Sequence, residues 1–169
     1  MAANITIPRR TLLVLCGPAG CGKSTFAAQR FLRTEIISSD ACRAMICDDE
    51  TNQGVNRETF NLFHYIIEKR LSLGRFTVAD STALQPFARR RLLDQARRAG
   101  YNACLLIFNV SLETCLARDR LRARSVGEQV VQYHFGLLQK TLIDAPGEAW
   151  DMLFVLDEDE MEMVEIEFS

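Results

Sequence analysis

The stretch that decides the fold is Gly17-Pro18-Ala19-Gly20-Cys21-Gly22-Lys23-Ser24, which has the spacing Gly-x4-Gly-Lys-Ser. A short and nearly all-apolar run, residues 11–16, leads into it and predicts a strand that is covered on both faces. Residues 24–31, which follow, are predicted to form a helix. Glycines let backbone amides approach an anion closely, and the N-terminus of a helix adds a positive end. The stretch therefore predicts a phosphate-binding loop between a buried strand and a helix.

The same pattern matches the Walker A motif in full and predicts binding of ATP together with Mg²⁺. Lys23 is expected to bring a mobile positive charge to the β- and γ-phosphates, and the Ser24 hydroxyl is placed to ligate Mg²⁺. Cys21 occupies a variable position, and we interpret it as tolerated rather than reactive. The alternative is a glycine-rich turn that carries Lys and Ser by chance. The predicted ATP-binding residues are Gly17, Gly20, Cys21, Gly22, Lys23, Ser24 and Thr25.

Apolar runs alternate with amphipathic stretches along the chain, which is typical of strand–helix units around a parallel sheet. We therefore expect an α/β protein with the P-loop NTPase fold, in which helices flank a central parallel sheet and an arginine-bearing lid covers the site. The 169 residues suit a single domain, residues 1–169. The predicted strands are residues 11–16, 35–38, 76–80, 103–110 and 152–156, with a short edge strand at 164–168. The predicted helices are residues 24–31, 57–73, 86–99, 112–123 and 126–143.

The net charge of −2 hides an uneven distribution. Residues 157–169 hold seven acids and no Lys or Arg, so the rest of the chain has 20 basic against 15 acidic residues, a net charge of +5. Arginines cluster at residues 89–91, at 97–98 and between 118 and 124. A basic body suits a phosphate-rich partner, and the alternative is that these arginines lie on solvated helix faces. Few aromatic residues flank the clusters in sequence, so we expect base stacking to contribute little.

Cysteine usage and hydropathy indicate a cytoplasmic protein without a membrane partner. None of the six cysteines has Cys-x-x-Cys spacing, and there are only two histidines, which argues against a zinc site. Several cysteines lie in apolar runs, as small core residues do in a reducing compartment. The N-terminal residues do not have the apolar region of a signal peptide, and no apolar run approaches the length of a membrane span.

Candidate residues for the acceptor side follow the second predicted strand. Asp40 comes after Ser38-Ser39 at the end of that strand, and ligands of doubly wound sheets bind beyond the carboxyl ends of the strands. Asp40 is therefore expected to face the γ-phosphate and to accept the proton of an attacking hydroxyl as general base. Arg43, three residues further on, could hold an acceptor phosphate or orient Asp40. The alternative is an Asp that caps a helix, with a solvated Arg.

Three further candidates would act on the phosphates and the metal. Arg118 and Arg122 are one helical turn apart and are predicted to close over the triphosphate as catalytic lid residues. Arg120 and Arg124 fall on a different face and are weaker candidates, and a solvated basic helix is the alternative for all four. Asp80 ends an apolar strand in the manner of a Walker B acid. It could hold Mg²⁺ through water, buttress the loop or serve a structural role.

The chain resembles the 5′-hydroxyl polynucleotide kinase domain of bacterial RNA end-healing and sealing enzymes, over essentially its whole length. The Walker motif is generic, whereas Ser-Ser-Asp-x-x-Arg with the adjoining Asp-Asp-Glu is much more particular. The resemblance lies in residues 17–27, 37–43 (Ile-Ser-Ser-Asp-Ala-Cys-Arg), 48–50 (Asp-Asp-Glu), 63–66 (Phe-His-Tyr-Ile), 69–71 (Lys-Arg-Leu), 77–82 (Thr-Val-Ala-Asp-Ser-Thr) and the lid at 118–124.

This resemblance implies that ATP donates its γ-phosphate to the 5′-OH of RNA or DNA. It implies that Lys23 and Ser24 handle phosphate and Mg²⁺ and that Asp40 is the general base. Arg43 would contact the phosphate on the 3′ side of the acceptor nucleotide, and Arg118 and Arg122 would contact the ATP phosphates. One departure is visible: the family has Asp-x-Thr-Asn after the third strand, and this chain has Ala83 in place of that Asn.

Related bacterial enzymes join this domain to a phosphatase domain of the metallophosphoesterase type and to a ligase-like domain. The sequence leaves open whether this chain is one domain of a longer protein or a stand-alone homologue. Two rival functions also stay open. The first is a P-loop kinase of a small metabolite, and the second is a non-catalytic ATP-binding module.

Overall fold

Five parallel strands form the central sheet of the computed structural model, which describes residues 4–169. Their order in the sheet is β3-β4-β2-β5-β6, and a separate two-stranded parallel ribbon pairs β1 with β7. The strands are β1 Asn4–Ile7, β2 Thr11–Cys16, β3 Ile36–Ser38, β4 Thr77–Asp80, β5 Asn102–Phe108, β6 Met152–Leu156 and β7 Glu165–Phe168. The helices are α1 Lys23–Arg30, α2 Ser39–Cys47, α3 Asn56–Ser72, α4 Pro86–Arg98, α5 Leu112–Leu121, α6 Glu128–Asp144 and α7 Glu158–Met163.

Helices cover both faces of the sheet, which explains why its strands are mostly apolar. All six residues of β2 are buried, as a central strand of a parallel sheet requires. On one face the strands pack against Phe26 of α1 and Met161 of α7. On the other they pack against Phe63 of α3 and Leu92 of α4. The α/β architecture expected from the alternating pattern is confirmed. No helix between residues 4 and 169 combines the length and apolar character that crossing a membrane requires.

The strand register brings three carboxyl ends to one edge of the sheet. Leu15 of β2 pairs with Asp80 of β4, and Ser38 of β3 pairs with the same residue. The loop after β2, the end of β4 and the start of α2 therefore lie side by side. This edge is where ligands bind in open α/β sheets.

The predicted strands and helices are present with shifts of at most two residues at their ends. The alternation at residues 164–168 does form a strand, β7, but it pairs with β1 rather than with the central sheet. Strand β1 and the helices α2 and α7 were not among the predicted elements. The pairing of Ile5 with Ile166 joins the two ends of the chain, and such a distant partner leaves no periodic signal near either residue.

One arginine of the basic clusters is part of the core. Arg89 is 1% exposed, and its guanidinium donates to the carboxylate of Glu148 at 2.7 Å and to the Ala83 and Leu84 carbonyls at 3.1 and 3.0 Å. Burial opposes ionisation of Glu148, but hydrogen bonds from Arg89 and Trp150 outweigh it and lower the pKa of that carboxyl. The interpretation of residues 89–98 as a solvated face is therefore wrong for Arg89, which ties α4 to the segment after α6.

The substitution Arg89→Met tests this buried ion pair. It removes the positive partner of the Glu148 carboxylate and one donor to each of the Ala83 and Leu84 carbonyls, so we expect the free energy of unfolding to fall by about 3–5 kcal/mol. Urea denaturation measures the loss. The matched control is Arg90→Met, because Arg90 is the exposed neighbour on the same helix and its loss should stay within about 0.5 kcal/mol. Equal urea midpoints of unfolding for the two variants would contradict the structural role of Arg89.

Candidate active site

The loop between β2 and α1 adopts backbone conformations that only glycine takes readily. Gly20 has φ +79° and Gly22 has φ +93°, both in the left-handed region. A Cβ on Gly20 would also lie 2.8 Å from the carbonyl oxygen of Cys115 in α5. Gly22 is the N-cap of α1 and has no side chain to occupy the first amides of that helix. The positive end of α1 is therefore open to an anion held in the loop.

Lys23 is folded back over the loop. Its side chain is buried, and its ammonium donates to the carbonyls of Gly17 at 2.9 Å and Pro18 at 3.0 Å. Cys21 is also buried, with its sulfur 3.7 Å from that ammonium. An incoming phosphate would offer the ammonium a charged acceptor in place of two neutral carbonyls, and hydrogen bonds between ionised groups are the stronger kind.

Ser24 and Asp80 form the pair of oxygen donors expected for Mg²⁺. The Ser24 hydroxyl donates to Asp80 Oδ2 at 2.8 Å, and Ser24 stands at the exposed start of α1. Burial raises the pKa of the Asp80 carboxyl, whereas the positive charge of Lys23 and the bond from Ser24 act in the opposite direction. A hydroxyl and a carboxylate beside a phosphate-binding loop suit Mg²⁺, which prefers oxygen ligands and takes the rest of its shell from phosphates and water.

Asp40 lies at the start of α2 on the same edge of the sheet. Its side chain is 54% exposed, and its Oδ1 accepts from Arg43 Nη1 at 2.9 Å. Ser38 is the N-cap of α2, because its hydroxyl accepts from the amide of Ala41 at 3.1 Å. The alternative in which Asp40 caps the helix is therefore wrong. The nearby charge of Asp40 is one of the influences that raise the pKa of Asp80, so the two carboxylates share the site.

Arg43 is buried rather than solvated. It is 4% exposed, and besides Asp40 its guanidinium donates to Asn56 Oδ1 at 2.8 Å and to the Glu50 carbonyl at 3.3 Å. Three acceptors on three separate segments fix the guanidinium, which in turn fixes one oxygen of Asp40. The geometry favours the orienting role over the solvated alternative, and a contact between Arg43 and an acceptor phosphate stays a prediction.

Arg118 is the lid arginine that the structure brings to the loop. Its Nη1 donates to the carbonyl oxygen of Cys21 at 2.8 Å. Arg122 is exposed at the C-cap of α5, which ends earlier than predicted, at Leu121. Arg124 lies 3.5 Å from Asp49 Oδ1, across from the segment that follows α2. The two predicted catalytic arginines therefore differ in this state: Arg118 touches the phosphate-binding loop, and Arg122 faces solvent.

Two residues that the sequence analysis missed shape the lid and the loop. The buried carboxylate of Asp119 accepts from the amides of Val126 and Gly127, both at 3.0 Å, and so closes the turn between α5 and α6. His134 of α6 accepts from the amide of Ala19 through Nδ1 at 3.2 Å. Burial lowers the pKa of His134, and the charge of Lys23 lowers it further, so the ring is suited to accept as a neutral group.

Ala83, at the position where the resembled family has Asn, lies in the segment after β4 that supports the phosphate-binding loop. Ala83 has φ +49°, a left-handed conformation that Asn adopts more readily than Ala. The preceding residue, Thr82, accepts from the amide of Gly17 through its carbonyl at 3.0 Å. The segment after β4 therefore supports the loop through its backbone, a contact that does not need an Asn side chain.

Comparison with solved structures finds the same fold in small kinases. A gluconokinase from Sinorhizobium meliloti 1021 superposes with a TM-score of 0.57 at 18% identity, over 89% of this chain and 84% of that one. The Mycobacterium tuberculosis APS kinase CysC, in complex with AMPPNP and APS, gives 0.56 at 16% identity, over 90% and 91%. A shikimate kinase from Bacteroides thetaiotaomicron gives 0.52 at 13% identity, over 90% and 92%. Identities this low establish the fold alone.

Sequence comparison assigns the family. No protein with curated annotation matches this chain significantly. The family model described as an AAA domain matches residues 12–142, from the second residue of β2 to near the end of α6. That range is the larger part of the chain and holds the glycine-rich loop, Asp40, Asp80 and the lid. With its P-loop kinase-like fold, the chain belongs to this AAA domain family.

Proposed function

We propose that this chain transfers the γ-phosphate of ATP to the 5′-hydroxyl of RNA or DNA, with Asp40 as the general base. The observation that carries the proposal is the position of Asp40. Its half-exposed carboxylate is held by buried Arg43 on the sheet edge that also holds the glycine-rich loop and Asp80. A nucleotide phosphate in the loop and a hydroxyl on Asp40 would meet at that edge.

ATP binding would exchange internal hydrogen bonds for bonds to phosphate. The ammonium of Lys23 and the guanidinium of Arg118 both donate to carbonyls of the loop. Each is a long side chain whose end can turn towards the β- and γ-phosphates without movement of the backbone. There they would stabilise the charge that develops on the transferring group, as such residues do in phosphoryl transfer. Arg122, exposed at the end of α5, would join them only after the lid closes.

Magnesium would lie at Ser24 and Asp80. When bound, it neutralises charge on the β- and γ-phosphates. The Ser24 hydroxyl would exchange its hydrogen bond to Asp80 for a metal contact, and Asp80 would hold a metal-bound water. This division fits an ion that keeps several waters and few protein ligands.

The acceptor is proposed to be a polynucleotide end because of the Asp40–Arg43 element. Together with Asp48-Asp49-Glu50, that element is the particular part of the resemblance to 5′-hydroxyl polynucleotide kinases. The Glu50 carbonyl accepts from Arg43, so the two parts of the motif are in contact. The exposure of Asp40 also leaves room for the end of a strand, whose remaining nucleotides must extend away from the site.

A kinase of a small metabolite is the second candidate, and one observation favours it. The solved structures with this fold include a gluconokinase, an APS kinase and a shikimate kinase. The two candidates share the loop, the base and the lid, so only the acceptor separates them.

A transfer assay with labelled ATP separates these functions. We expect label to appear on a 5′-OH oligonucleotide and not on gluconate, shikimate, APS or nucleosides. Transfer only to metabolites would reject the polynucleotide proposal, and ATP binding without any transfer would favour a non-catalytic module.

The substitution Asp40→Asn tests the proposed base. It keeps the shape and a hydrogen-bond acceptor for Arg43 but removes the group that takes the proton. We expect turnover to fall by about 10²–10⁴-fold while the dissociation constant of ATP changes little. Asp94→Asn, on the exposed face of α4, is the matched control and should keep full turnover. Unchanged turnover in Asp40→Asn would remove Asp40 as the base.

The substitution Ser24→Ala tests the metal site. Loss of the hydroxyl removes the protein's proposed direct ligand to the metal, so the Mg²⁺ concentration for half-maximal turnover should rise several-fold. The measurement is a Mg²⁺ titration at saturating ATP. Ser72→Ala, at the end of α3, is the control and should titrate like the unmodified protein. If both variants need the same Mg²⁺ concentration for half-maximal turnover, Ser24 does not bind the metal.

A further inference from the structure

Two aromatic side chains are exposed on elements that border the acceptor edge. Phe87 is 72% exposed, and Tyr133 is 60% exposed. Phe87 is the second residue of α4, which starts six residues after Asp80 at the carboxyl end of β4. Tyr133 lies in the first half of α6, the helix that follows the lid. Large apolar side chains exposed near a ligand-binding edge are candidates for contact with a ligand.

Hydrogen bonds join α6, which carries Tyr133, to the start of α4 and to the phosphate-binding loop. Gln85 Nε2 donates to the Tyr133 hydroxyl at 3.2 Å, which joins the start of α4 to α6. The next residue, His134, accepts from the amide of Ala19 in the loop. Tyr133 is therefore held at the start of α4, one residue along α6 from the contact with the loop.

The exposed face of α4 is also positively charged next to Phe87. Arg90 and Arg91 follow it by three and four residues, so they lie on the same side of the helix, and both are exposed. Arg89 points the other way into the core. Within residues 4–169, Arg89 and Arg97 form salt bridges with Glu148 and Asp151, whereas Arg90 and Arg91 form none.

We propose that Phe87, Tyr133, Arg90 and Arg91 bind the acceptor strand beyond its 5′-terminal nucleotide. Phe87 stacks on a base, and the two arginines contact the phosphates that flank it. The occupant is single-stranded nucleic acid, because it alone combines planar apolar rings with a negative charge at every link. The inference rests on the proposed function and deepens it, since it assigns the strand a course over α4. It also replaces the expectation from sequence that stacking contributes little.

The test compares Phe87→Ala with the unmodified protein on two acceptors, a 5′-OH ten-nucleotide single strand and a nucleoside 3′-monophosphate. We expect the KM for the long acceptor to rise about tenfold or more, because that is the effect of losing one stacking contact between a base and an aromatic ring. The KM for the mononucleotide and for ATP should not change. Phe87→Trp should keep the low KM because it keeps an aromatic face. Leu73→Ala is the matched control, since Leu73 is 76% exposed at the far end of α3.

The double substitution Arg90→Gln and Arg91→Gln gives an independent readout. If both arginines contact phosphates, the salt dependence of the oligonucleotide KM should become less steep. If the salt dependence of the oligonucleotide KM keeps the same slope, the proposed contacts of Arg90 and Arg91 with phosphates are wrong.

The outcomes separate this inference from the function on which it rests. If the unmodified protein phosphorylates the oligonucleotide and Phe87→Ala does so with the same KM, the strand site is wrong and the proposed function stands. If the unmodified protein phosphorylates no oligonucleotide, the proposed function and the strand site are both wrong.

Discussion

The left-handed backbone of the loop between β2 and α1 is the constraint on which the rest of the site depends. Because Gly20 and Gly22 take positive φ, the chain can turn from the end of a buried strand directly into a helix whose first amides stay open. The same turn places Lys23 and Ser24 at fixed positions, one over the loop and one beside Asp80. A side chain on Gly20 would meet the backbone of α5, so the loop also sets how closely the lid helix packs.

Buried polar groups hold the parts of the site around that loop. Arg43 is fixed by Asp40, Asn56 and the Glu50 carbonyl, and Asp119 closes the lid turn through two amides. Hydrogen bonds to ionised groups in a poorly hydrated setting are strong, and their loss is costly. The structure thus keeps Asp40 and the lid turn on rigid elements, and under the proposed function the ends of Lys23, Arg118 and Arg122 turn towards the phosphates.

Local signals made the fold and part of the site predictable from sequence. The glycine spacing, the apolar run before it and the ends of the predicted strands located the loop, Asp40 and Asp80, because parallel strands share one carboxyl edge. Contacts between distant residues left no such signal. Arg89 and Glu148 are 59 positions apart, and Ala19 and His134 are 115 apart, so neither contact follows from spacing along the chain. The contact between Gln85 and Tyr133, which are 48 positions apart, likewise brings Tyr133 to the start of α4 without any signal in the spacing.

A crystal structure with a non-hydrolysable ATP analogue, Mg²⁺ and a short 5′-OH oligonucleotide tests the central claim most directly. The account predicts the triphosphate in the glycine-rich loop and the 5′-oxygen about 3–3.5 Å from the γ-phosphorus, within hydrogen-bonding distance of Asp40. A triphosphate outside that loop, or an acceptor hydroxyl held away from Asp40, would contradict it.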